Sequence, residues 1–486
     1  MSLTRLPTWL LTLTLGVIGA VARPLEEYFT DQISVKSFGA KGDFSNDDTA
    51  AFKAALSYAS TYSNRGCVIY VPAGIYNVSD MLTIPEFVTL KGAGKHSTMI
   101  RCTASGSVAG IVVNMPNQRS VLDGINVVYA SAQLTTGTCI RSTGSSNVLR
   151  DVGFSAGFNG LQVWGGSAQK LVDIDWSDCK SCGVQIGEST GGFVNDVILQ
   201  NFFGISVDKT NFQLGSLRII GRVEAFMCSN GDLIGSKRSV VTDPGTGFGL
   251  RFSNFTNVFM DEHTDACLFT GVNHTTFTDC WLSGRDVGAV FHDCYNLTFT
   301  GQKVYNNGKT GIRFLGTCHH ITMANSDLSN NNQTGSADMD DVWVSGESYE
   351  MNFIGNHGYE AGQTRSAVFI SSGCHDYSIV DNKLSNRSTR NIIEPDSAVG
   401  RHVVGNSNYV TRKSGSATLA AGQTQASVLH GLNYTPKIAD IRISQNGATV
   451  TPLYVDTVDA AGFTVKTAQT NTGNAPFTWV ADATGD

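Results

Sequence analysis

Charge is scarce in this sequence of 486 residues, because Asp, Glu, Lys and Arg make up only 15% of it. A disordered chain needs high net charge and few apolar residues, whereas this one is 41% hydrophobic with a net charge of -7. A nucleic-acid-binding surface needs clustered Lys and Arg, yet 34 basic residues are scattered among 41 acidic ones. The composition therefore predicts a folded protein whose partner is neutral or sugar-like, and no nucleic acid.

Long apolar runs are also scarce. Beyond the first 22 residues, no segment reaches the roughly 18 apolar residues that a membrane-spanning helix requires, so no membrane span is expected. The amino terminus has Arg5, an apolar run at 9–15 and small residues at 20–22, a pattern typical of a secretory signal peptide. The alternative is an attachment segment, residues 1–33, on a mature protein.

Cysteine pairs at metal-binding spacing are nearly absent. Cys179 and Cys182 form a CxxC motif, but no second pair or histidine pair accompanies it as a zinc site requires. We therefore expect no metal and no cofactor. The total of eleven cysteines is odd, and most are scattered singly through apolar stretches, which predicts small buried thiols rather than a disulfide framework.

Glycine, with 52 residues, is abundant and marks a repeat. A small residue followed by an apolar, a variable and an apolar residue recurs at spacings of 17 to 23, apart from a break between 208 and 249. These segments are 160–163, 183–186, 204–207, 249–252, 266–269, 288–291 and 311–314. A second set interleaves with them, at 257–260, 274–277, 296–299, 320–323, 350–353 and 376–379. Coils of about 22 residues with two or three short strands predict a parallel β-helix.

Acidic residues recur at equivalent turns of the predicted coils. One column comprises Asp123, Asp151, Asp173 and Asp196. A second column comprises Glu262, Asp279, Gly301, Asn325, Gly355 and Asp381. Asp and Asn favour turns because their side chains hydrogen-bond nearby backbone, which is the structural interpretation of both columns. Glu262 and Asp279 would also be carboxylates about 5 Å apart, close enough for repulsion to raise one pKa.

The opening of the chain supplies a family resemblance. Its residues 34–40, 42–43, 46–49 and 68–76 resemble the start of the pectate-lyase superfamily, especially in bacteriophage tailspikes and capsule depolymerases. The resemblance implies an all-β fold, a single-stranded right-handed parallel β-helix over residues 34–411. It also implies an amino-terminal helix to Ala59, begun at Asp47 or Asp48, that caps the open end of the core.

Both ends of the chain resemble phage tail proteins. Residues 19–33 are similar to the junction before this opening, which implies docking onto another phage tail protein. Residues 430–436 and 477–480 are similar to a small carboxy-terminal β-domain of tail fibres and spikes. That resemblance implies a sandwich-like trimerisation domain over 412–486, a homotrimer, and Lys413–Ser416 as the linker. The alternative is a carbohydrate-binding module on a monomeric secreted enzyme.

Sugar-cleaving sites use two carboxyl groups, one as acid and one as base or nucleophile. We interpret the break at 208–249 as a loop overhanging a groove, and the acids outside turn columns as the better candidates. The predicted catalytic residues are Glu224, Asp261, Glu262, Asp265, Asp279 and Asp286. Each of them is otherwise a solvated turn residue.

Four residues are predicted to bind substrate. Arg251 and Arg313 lie on one predicted outward row and can bind carboxylate-bearing sugars, or else be solvated. Trp281 and Trp343 can stack on sugar faces or contact another chain. If the enzyme is a lyase, His263, Lys303 and Tyr305 are the residues that matter.

The main functional hypothesis is a phage tailspike that binds and depolymerises a bacterial surface polysaccharide, capsule or exopolysaccharide, and lies in the virion tail. Glycosidic hydrolysis is favoured over β-elimination because acids outnumber candidate bases. One alternative is a receptor-binding spike without catalysis. Another is a secreted polysaccharide lyase or hydrolase, which the signal-like start supports.

Overall fold

The computed structural model describes most of the chain. Those residues are 12–13, 23–24, 32–61, 66–190, 192–206, 210–245, 249–337, 339–359, 364–385, 387, 389–396, 398–446 and 451–485. The predicted attachment or signal segment lies almost entirely outside them; within it, Thr12–Leu13 pairs antiparallel with Arg23–Pro24. No helix in these ranges is long and apolar enough to cross a membrane. The chain divides into two units, residues 1–259 and 260–486, which are described separately.

The first unit is a stack of coils built from parallel strands. One sheet takes one strand from each coil: Leu82–Thr83, Ile111–Met115, Thr138–Ser142, Asn159–Val163, Cys182–Ile186, Leu217–Ile220 and Val240–Asp243. The remaining strands are Gln32–Ser34, Asp43–Asp47, Cys67–Val71, Gly74–Val78, Val88–Gly92, Thr98–Cys102, Val121–Tyr129, Val148–Ser155, Lys170–Ser177, Phe193–Asn195, Ile198–Ile205, Arg222–Glu224, Met227–Ile234, Leu250–Arg251 and Asn254–His263.

The second unit repeats this pattern. Its corresponding sheet comprises Cys267–Thr270, Ala289–His292, Ile312–Leu315, Asp340–Val344, Ser366–Ile370 and Ile392–Ile393. Its other coil strands are Asn273–Thr278, Trp281–Gly284, Tyr295–Thr300, Lys303–Tyr305, His319–Ala324, Asp327–Ser329, Tyr349–Ile354, His357–Gly358, His375–Val380, Lys383–Leu384 and Arg401–Val404. Counted over the described chain, there are about 13 turns, which confirms the predicted all-β right-handed parallel β-helix.

Similar side chains stack inside each unit because successive coils are one strand spacing apart. In the first unit, Trp176 stacks between Phe154 and Phe202, with ring centroids 6.0 and 5.7 Å apart. In the second unit, Phe269 and Phe291 stack at 4.6 Å. Ten of the eleven cysteines are buried free thiols and Cys67 is half-buried, which confirms the prediction of core cysteines.

Corner positions adopt left-handed backbone. All six residues of the second predicted column have positive φ, from 51° to 68°, which confirms it as a turn. Aspartates and glycines alternate there for a steric reason: a Cβ at Gly301 or Gly405 would collide with the carboxylate of Asp279 or Asp381 on the preceding coil. The aspartate carboxylate therefore occupies the space that a side chain at the glycine would need.

The first predicted column is wrong at two positions. Asp151 and Asp173 do share a corner, with φ of 51° and 59°. The strand register aligns Gly124, not Asp123, with Asp151, and it aligns Asn201, not Asp196, with Asp173. Asn and Gly serve this corner as well as Asp does, because all three tolerate left-handed backbone. Counting only aspartates therefore shifted the register.

Within the predicted break at 208–249, the described residues 217–243 continue the coils and do not form an overhanging loop. Its strands Leu217–Ile220 and Val240–Asp243 continue the sheet, and Arg218 takes the outward position next to Gln185. The small residues that begin these strands are Ser216 and Ser239, which a search for Gly and Ala misses. The predicted repeat segments that begin at Gly204 and Gly249 therefore do not belong to this sheet: Gly204 lies in Ile198–Ile205, and Leu250–Arg251 pairs with Val223–Glu224.

One helix of twelve residues, Thr49–Ser60, lies near the start of the fold. Asp48 occupies its N-cap position, but its carboxylate instead accepts hydrogen bonds from the backbone of Lys41 and Gly42. Phe52 is buried and its ring meets Tyr76 edge to face at 5.5 Å. The short helical turns are Val35–Phe38, Gly106–Ala109 and Ile438–Asp440. A capping role for the long helix stays a prediction.

The carboxy-terminal residues form two three-stranded antiparallel sheets. One contains Arg412–Leu419, Ala475–Asp482 and Ile441–Gln445, and the other contains Gln425–Leu429, Gly462–Thr467 and Leu453–Val458. Phe463, Val465, Phe477 and Trp479 belong to the core between them. The predicted linker at 413–416 is wrong, because these residues pair with 478–481 inside a strand.

Buried asparagines bond one coil to the next in the second unit. The Asn382 side chain donates to the carbonyl of Phe353 at 2.9 Å and to Asn406 at 2.8 Å. Its oxygen accepts the backbone and side-chain N–H groups of Asn356 at 2.8 and 3.0 Å. Because Asn382 is only 1% exposed, water cannot replace these bonds.

We predict that Asn382→Ala lowers the free energy of unfolding by about 3 kcal/mol, since it leaves several buried polar groups without partners. The exposed corner residue Asn325 gives the control: Asn325→Gly, which matches Gly301 and Gly355 of the same column, should change it by about 0.5 kcal/mol or less. Guanidinium unfolding followed by tryptophan fluorescence measures both. Equal effects of the two substitutions would contradict a structural role for the asparagine stack.

Candidate functional site

The predicted site residues fall in separate places. Glu224 and Arg251 lie in the first unit as register partners on adjacent strands, and Glu224 accepts a hydrogen bond from Arg222 at 3.2 Å. Glu224 therefore lies in a strand and not on a loop. Arg251 belongs to a different sheet from Arg313, so the two arginines do not share the predicted outward row.

Asp261, Glu262, Asp279 and Trp281 lie near one edge of the second unit. The Asp261 carboxylate accepts the backbone N–H of Glu262 at 2.7 Å, and Asp279 fills the space above Gly301. These contacts agree with the structural interpretation of turn acids. Trp281 meets Tyr305 edge to face, with centroids 6.0 Å apart, and Lys303 lies 5.7 Å from its ring.

Asp265, Asp286, Arg313 and Trp343 belong to consecutive coils of one face. The two aspartates lie in turns that lead into register-paired strands, and Asp286 forms an ion pair with Lys309 at 2.7 Å. Arg313 and Trp343 are register partners, with the guanidinium 4.9 Å from the indole. Val342 and Val344 are fully buried, which confirms that Trp343 points outward. This face therefore contains four of the ten predicted site residues.

The predicted lyase residues do not form a shared site. His263 is fully buried, and its Nε2 atom lies 2.9 Å from the carbonyl oxygen of Gly288. A base must reach a substrate proton, which this ring cannot do in its buried position. Lys303 is exposed, and Tyr305 accepts a hydrogen bond from Asn330 at 3.2 Å.

A groove in the second unit contains acids that the sequence reasoning missed. It consists of a corner row and an outward strand row, and it has a volume of about 420 Å³. The corner row is His320, Glu350, Asp376 and Gly400, and the strand row is Thr322, Asn352, Ser378 and His402. We call this set the histidine–carboxylate groove. Carboxylates, imidazoles, hydroxyls and an amide are suited to sugar hydroxyl groups.

Each acid of the groove is held by a histidine. His320 Nε2 lies 2.5 Å from the Glu350 carboxylate, and His375 Nδ1 lies 2.7 Å from that of Asp376. Both carboxylates are about half exposed, so they can contact a bound molecule. The Asp376 carboxylate occupies the space beside Gly400 on the next coil. A Cβ atom at Gly400 would collide with the Oδ1 atom of Asp376.

Glu350 is the unusual member of the corner row. Its φ of 52° is left-handed, and its row partners are His274, Asn296, His320, Asp376 and Gly400. His, Asn, Asp and Gly are the residues that adopt this conformation most readily, whereas glutamate does so rarely. A disfavoured residue retained at a cleft is a reason to suspect a functional role.

A stack of half-buried rings borders the groove. Tyr295, His319, Tyr349 and His375 lie face to face, with successive centroids 5.0, 4.8 and 5.3 Å apart. Burial lowers the pKa of His319, and the neighbouring His320 lowers it further, against the opposing charge of Glu350. His319 therefore stays neutral at pH values where an ordinary histidine is protonated.

The sequence held a signal for this groove. The second repeat set begins with His320, Glu350 and Asp376 in successive members, and each is followed two residues later by Thr, Asn or Ser. Polar residues at both outward positions of three consecutive coils are more than a turn requires. Each of these residues by itself also suits a turn, so the pattern is visible only when the coils are aligned.

The comparisons with known proteins agree with the fold. Residues 32–248 match the family model described as rhamnogalacturonase A/epimerase, pectate lyase-like. This segment is therefore a pectate-lyase-like domain, as the resemblance predicted. The Dettilon tailspike protein has a TM-score of 0.60 at 8% identity, over 94% of this chain and 96% of that one. The A-module of Azotobacter vinelandii mannuronan C-5 epimerase AlgE6 has 0.56 at 15% identity, over 77% and 98%.

Sequence relatives match only part of the chain. A probable glucan endo-1,3-beta-glucosidase of Arthroderma benhamiae is 27% identical over 198 residues, 35% of this chain and 21% of that protein. The pre-neck appendage protein of Bacillus phage phi29 is 36% identical over 81 residues, 17% and 9% of the two chains. Mannuronan C5-epimerase AlgE5 of Azotobacter vinelandii is 44% identical over 75 residues, 14% and 7%. The chain thus spans about a fifth or less of these relatives.

We predict that His320→Gln raises the pKa of His319, because it removes a neighbouring positive charge and leaves the negative charge of Glu350 in place. The titration of the His319 ring protons by NMR measures the change. His292→Gln is the control, because His292 pairs with Asp293 at 3.0 Å in a similar histidine–carboxylate contact elsewhere in the unit. An unchanged His319 titration in His320→Gln contradicts the coupling.

Proposed function

We propose that this protein is a phage tail spike that binds a bacterial surface polysaccharide and cleaves its glycosidic bonds in the histidine–carboxylate groove. The pectate-lyase-like domain, the tailspike-like fold and the phage appendage relative support a polysaccharide-binding or polysaccharide-degrading spike. The same comparisons support a location in the virion tail. A secreted enzyme is the alternative, and the probable glucosidase relative is consistent with it.

One observation supports catalysis above the others: Glu350 and Asp376 occupy adjacent coils of one polar cleft. Register-paired positions on adjacent coils are about 4.8 Å apart. Glycoside hydrolysis needs two carboxyl groups on either side of the scissile bond, one protonated and one ionised. His320 and His375 contact the two carboxyl groups at 2.5 and 2.7 Å and hold them in the cleft.

The lining of the groove favours hydrolysis over β-elimination. A lyase acting on a uronate must neutralise the sugar carboxylate while a base removes the neighbouring proton. Among the described residues that line the groove, none is a lysine or an arginine, whereas two are carboxylates. The 420 Å³ volume is within the range of small-molecule sites, about 300 to 1,000 Å³, so a short stretch of sugar chain fits.

We predict that Glu350→Gln and Asp376→Asn each lower polysaccharide cleavage by about 100-fold or more, because each removes a proton donor or acceptor. Cleavage is measured as chain shortening of polysaccharides from a panel of bacterial surfaces. Asp381→Asn is the matched control for Asp376→Asn, since Asp381 has the same left-handed corner and the same contact above a glycine but lies outside the groove. It should keep full cleavage.

The control for Glu350→Gln is Glu262→Gln, the other left-handed glutamate of the second unit. This variant also tests one of the acids predicted from sequence. If Glu262→Gln abolishes cleavage while Glu350→Gln does not, the site lies at the edge near Asp279. Binding without chain shortening by the unmodified protein would instead establish a receptor-binding spike, and an ultraviolet-absorbing unsaturated product would establish a lyase.

A second candidate site is the face with Asp265, Asp286, Arg313 and Trp343. The contact of the Arg313 guanidinium with the Trp343 indole favours it, because both groups bind sugars or their carboxylates. Asp265→Asn and Asp286→Asn in the same assay decide between the two sites. Loss of cleavage in either of them, with full cleavage in Asp376→Asn, places the chemistry on this face.

We further propose that residues 412–486 hold three chains together. Leu429, 78% exposed, and Tyr454, 48% exposed, are apolar residues on the surface of this domain. The mass in light scattering is predicted to be about three times 51.9 kDa. Leu429→Asp should lower it toward that of one chain, because a charge in an apolar interface is costly. A single-chain mass for the unmodified protein contradicts this assembly.

A further inference from the structure

A second polar pocket, in the first unit, has no role in the proposed cleavage. It has a volume of about 350 Å³ and opens on the outward row of the sheet, where Asn114, Arg141 and Gln162 are register partners on successive coils. Its polar lining includes Arg141, Gln162, Thr136, Thr138 and Asn159, and its less polar lining includes Trp164, Met81 and Ile111. We call it the Arg141 pocket.

Gln162 fixes the orientation of Arg141. The guanidinium donates from Nε at 3.2 Å and from Nη2 at 2.9 Å to the Gln162 amide oxygen. Thr138 donates its hydroxyl to the same oxygen at 3.1 Å. Because a guanidinium has only donors, the oxygen and not the nitrogen of the amide must face it. Gln162 is 3% exposed, and its amide nitrogen has no acceptor among the described residues.

Trp164 supports the other side of the guanidinium. The Arg141 Cζ atom lies 4.0 Å from the centroid of the indole ring, a cation–π contact that holds the group flat. The indole Nε1 atom is buried without a hydrogen-bond partner in the described part of the chain. Burial also lowers the pKa of Arg141, against the distant charge of Glu188. Within the described residues, no carboxylate lies in ion-pair distance of Arg141.

The unfilled groups of these three side chains are therefore all donors. Three N–H groups of Arg141, two of Gln162 and one of Trp164 donate no hydrogen bond within the described residues. Two other arginines differ. Arg218, on the same outward row, is 3.9 Å from Asp243, and the charges of Asp286 and Asp340 act on Arg313. Of these three arginines, Arg141 is the one whose charge lies in a pocket with no carboxylate of the described residues in ion-pair distance.

We infer that the Arg141 pocket binds the carboxylate of an acidic sugar residue. A planar carboxylate accepts two parallel N–H bonds from a guanidinium, and a sugar ring can lie against the apolar lining. The inference rests on the proposed polysaccharide substrate and narrows it: the chain bound by this protein contains uronate-type sugars. Recognition then occurs in the first unit, whereas the acids proposed to cleave belong to the second.

The experiment uses sodium D-glucuronate, D-galacturonate and D-mannuronate, each beside its uncharged methyl ester. Binding is followed by NMR through the indole N–H signal of Trp164, identified by its loss in Trp164→Phe. At least one uronate should bind about tenfold more tightly than its ester, since charge-assisted bonds are stronger than neutral ones. Arg141→Gln should abolish this difference, Arg141→Lys should reduce it, and Arg218→Gln should leave it unchanged.

Two outcomes overturn the inference: no acid binds more tightly than its ester, or Arg141→Gln keeps the preference of the unmodified protein. Arg141→Lys guards against misfolding, because it keeps the positive charge and the packing of the stem. The same titration in Asp376→Asn separates this inference from the proposed function. A preserved uronate preference in a protein that never cleaves any polysaccharide supports the pocket and contradicts the depolymerase.

Discussion

The stacking of coils at one strand spacing is the constraint on which the rest of this structure depends. Each strand residue of a coil lies about 4.8 Å from its register partner in the next coil. Each position must therefore accept a similar residue directly beside it. Inside, this selects residues that repeat without conflict, such as the stacked rings around Trp176 and the asparagines around Asn382. At the corners it selects residues that accept left-handed backbone, chiefly Asp, Asn and Gly.

The same constraint brings functional groups together. An isolated carboxylate becomes one of a pair when the next coil places another acid at the same corner, as Glu350 and Asp376 show. It also produces the Arg141 pocket, because Gln162 lies at the register position next to Arg141 and orients its guanidinium. Sites of this fold are thus rows across several coils rather than motifs within one segment, and the residues of the histidine–carboxylate groove span more than eighty positions of sequence.

Much of the fold was predictable because its period is local. The repeat, the core cysteines, the second turn column and the outward Trp343 follow from residue type and spacing, the family resemblance implied the helix near Phe52, and the structure confirms them. The errors of register have one source. Ser216 and Ser239 stand before strands where other coils have glycine, and Asn201 adopts the corner conformation as aspartate does. Assignment by residue identity therefore lost the register for two coils and misplaced Arg251 and Glu224.

The sequence by itself determined that this chain is a β-helix of low charge and high glycine content with a distinct carboxy-terminal β-domain. Burial periodicity and turn residues can be recognised from residues close together in sequence. Only the tertiary structure decided which acids meet. Residues 320, 350, 376 and 400 of the corner row are separated by 30, 26 and 24 positions, and coil lengths vary enough that no fixed period aligns them. Backbone hydrogen bonds between coils set that alignment, and the groove at Glu350 and the pocket at Arg141 result from it.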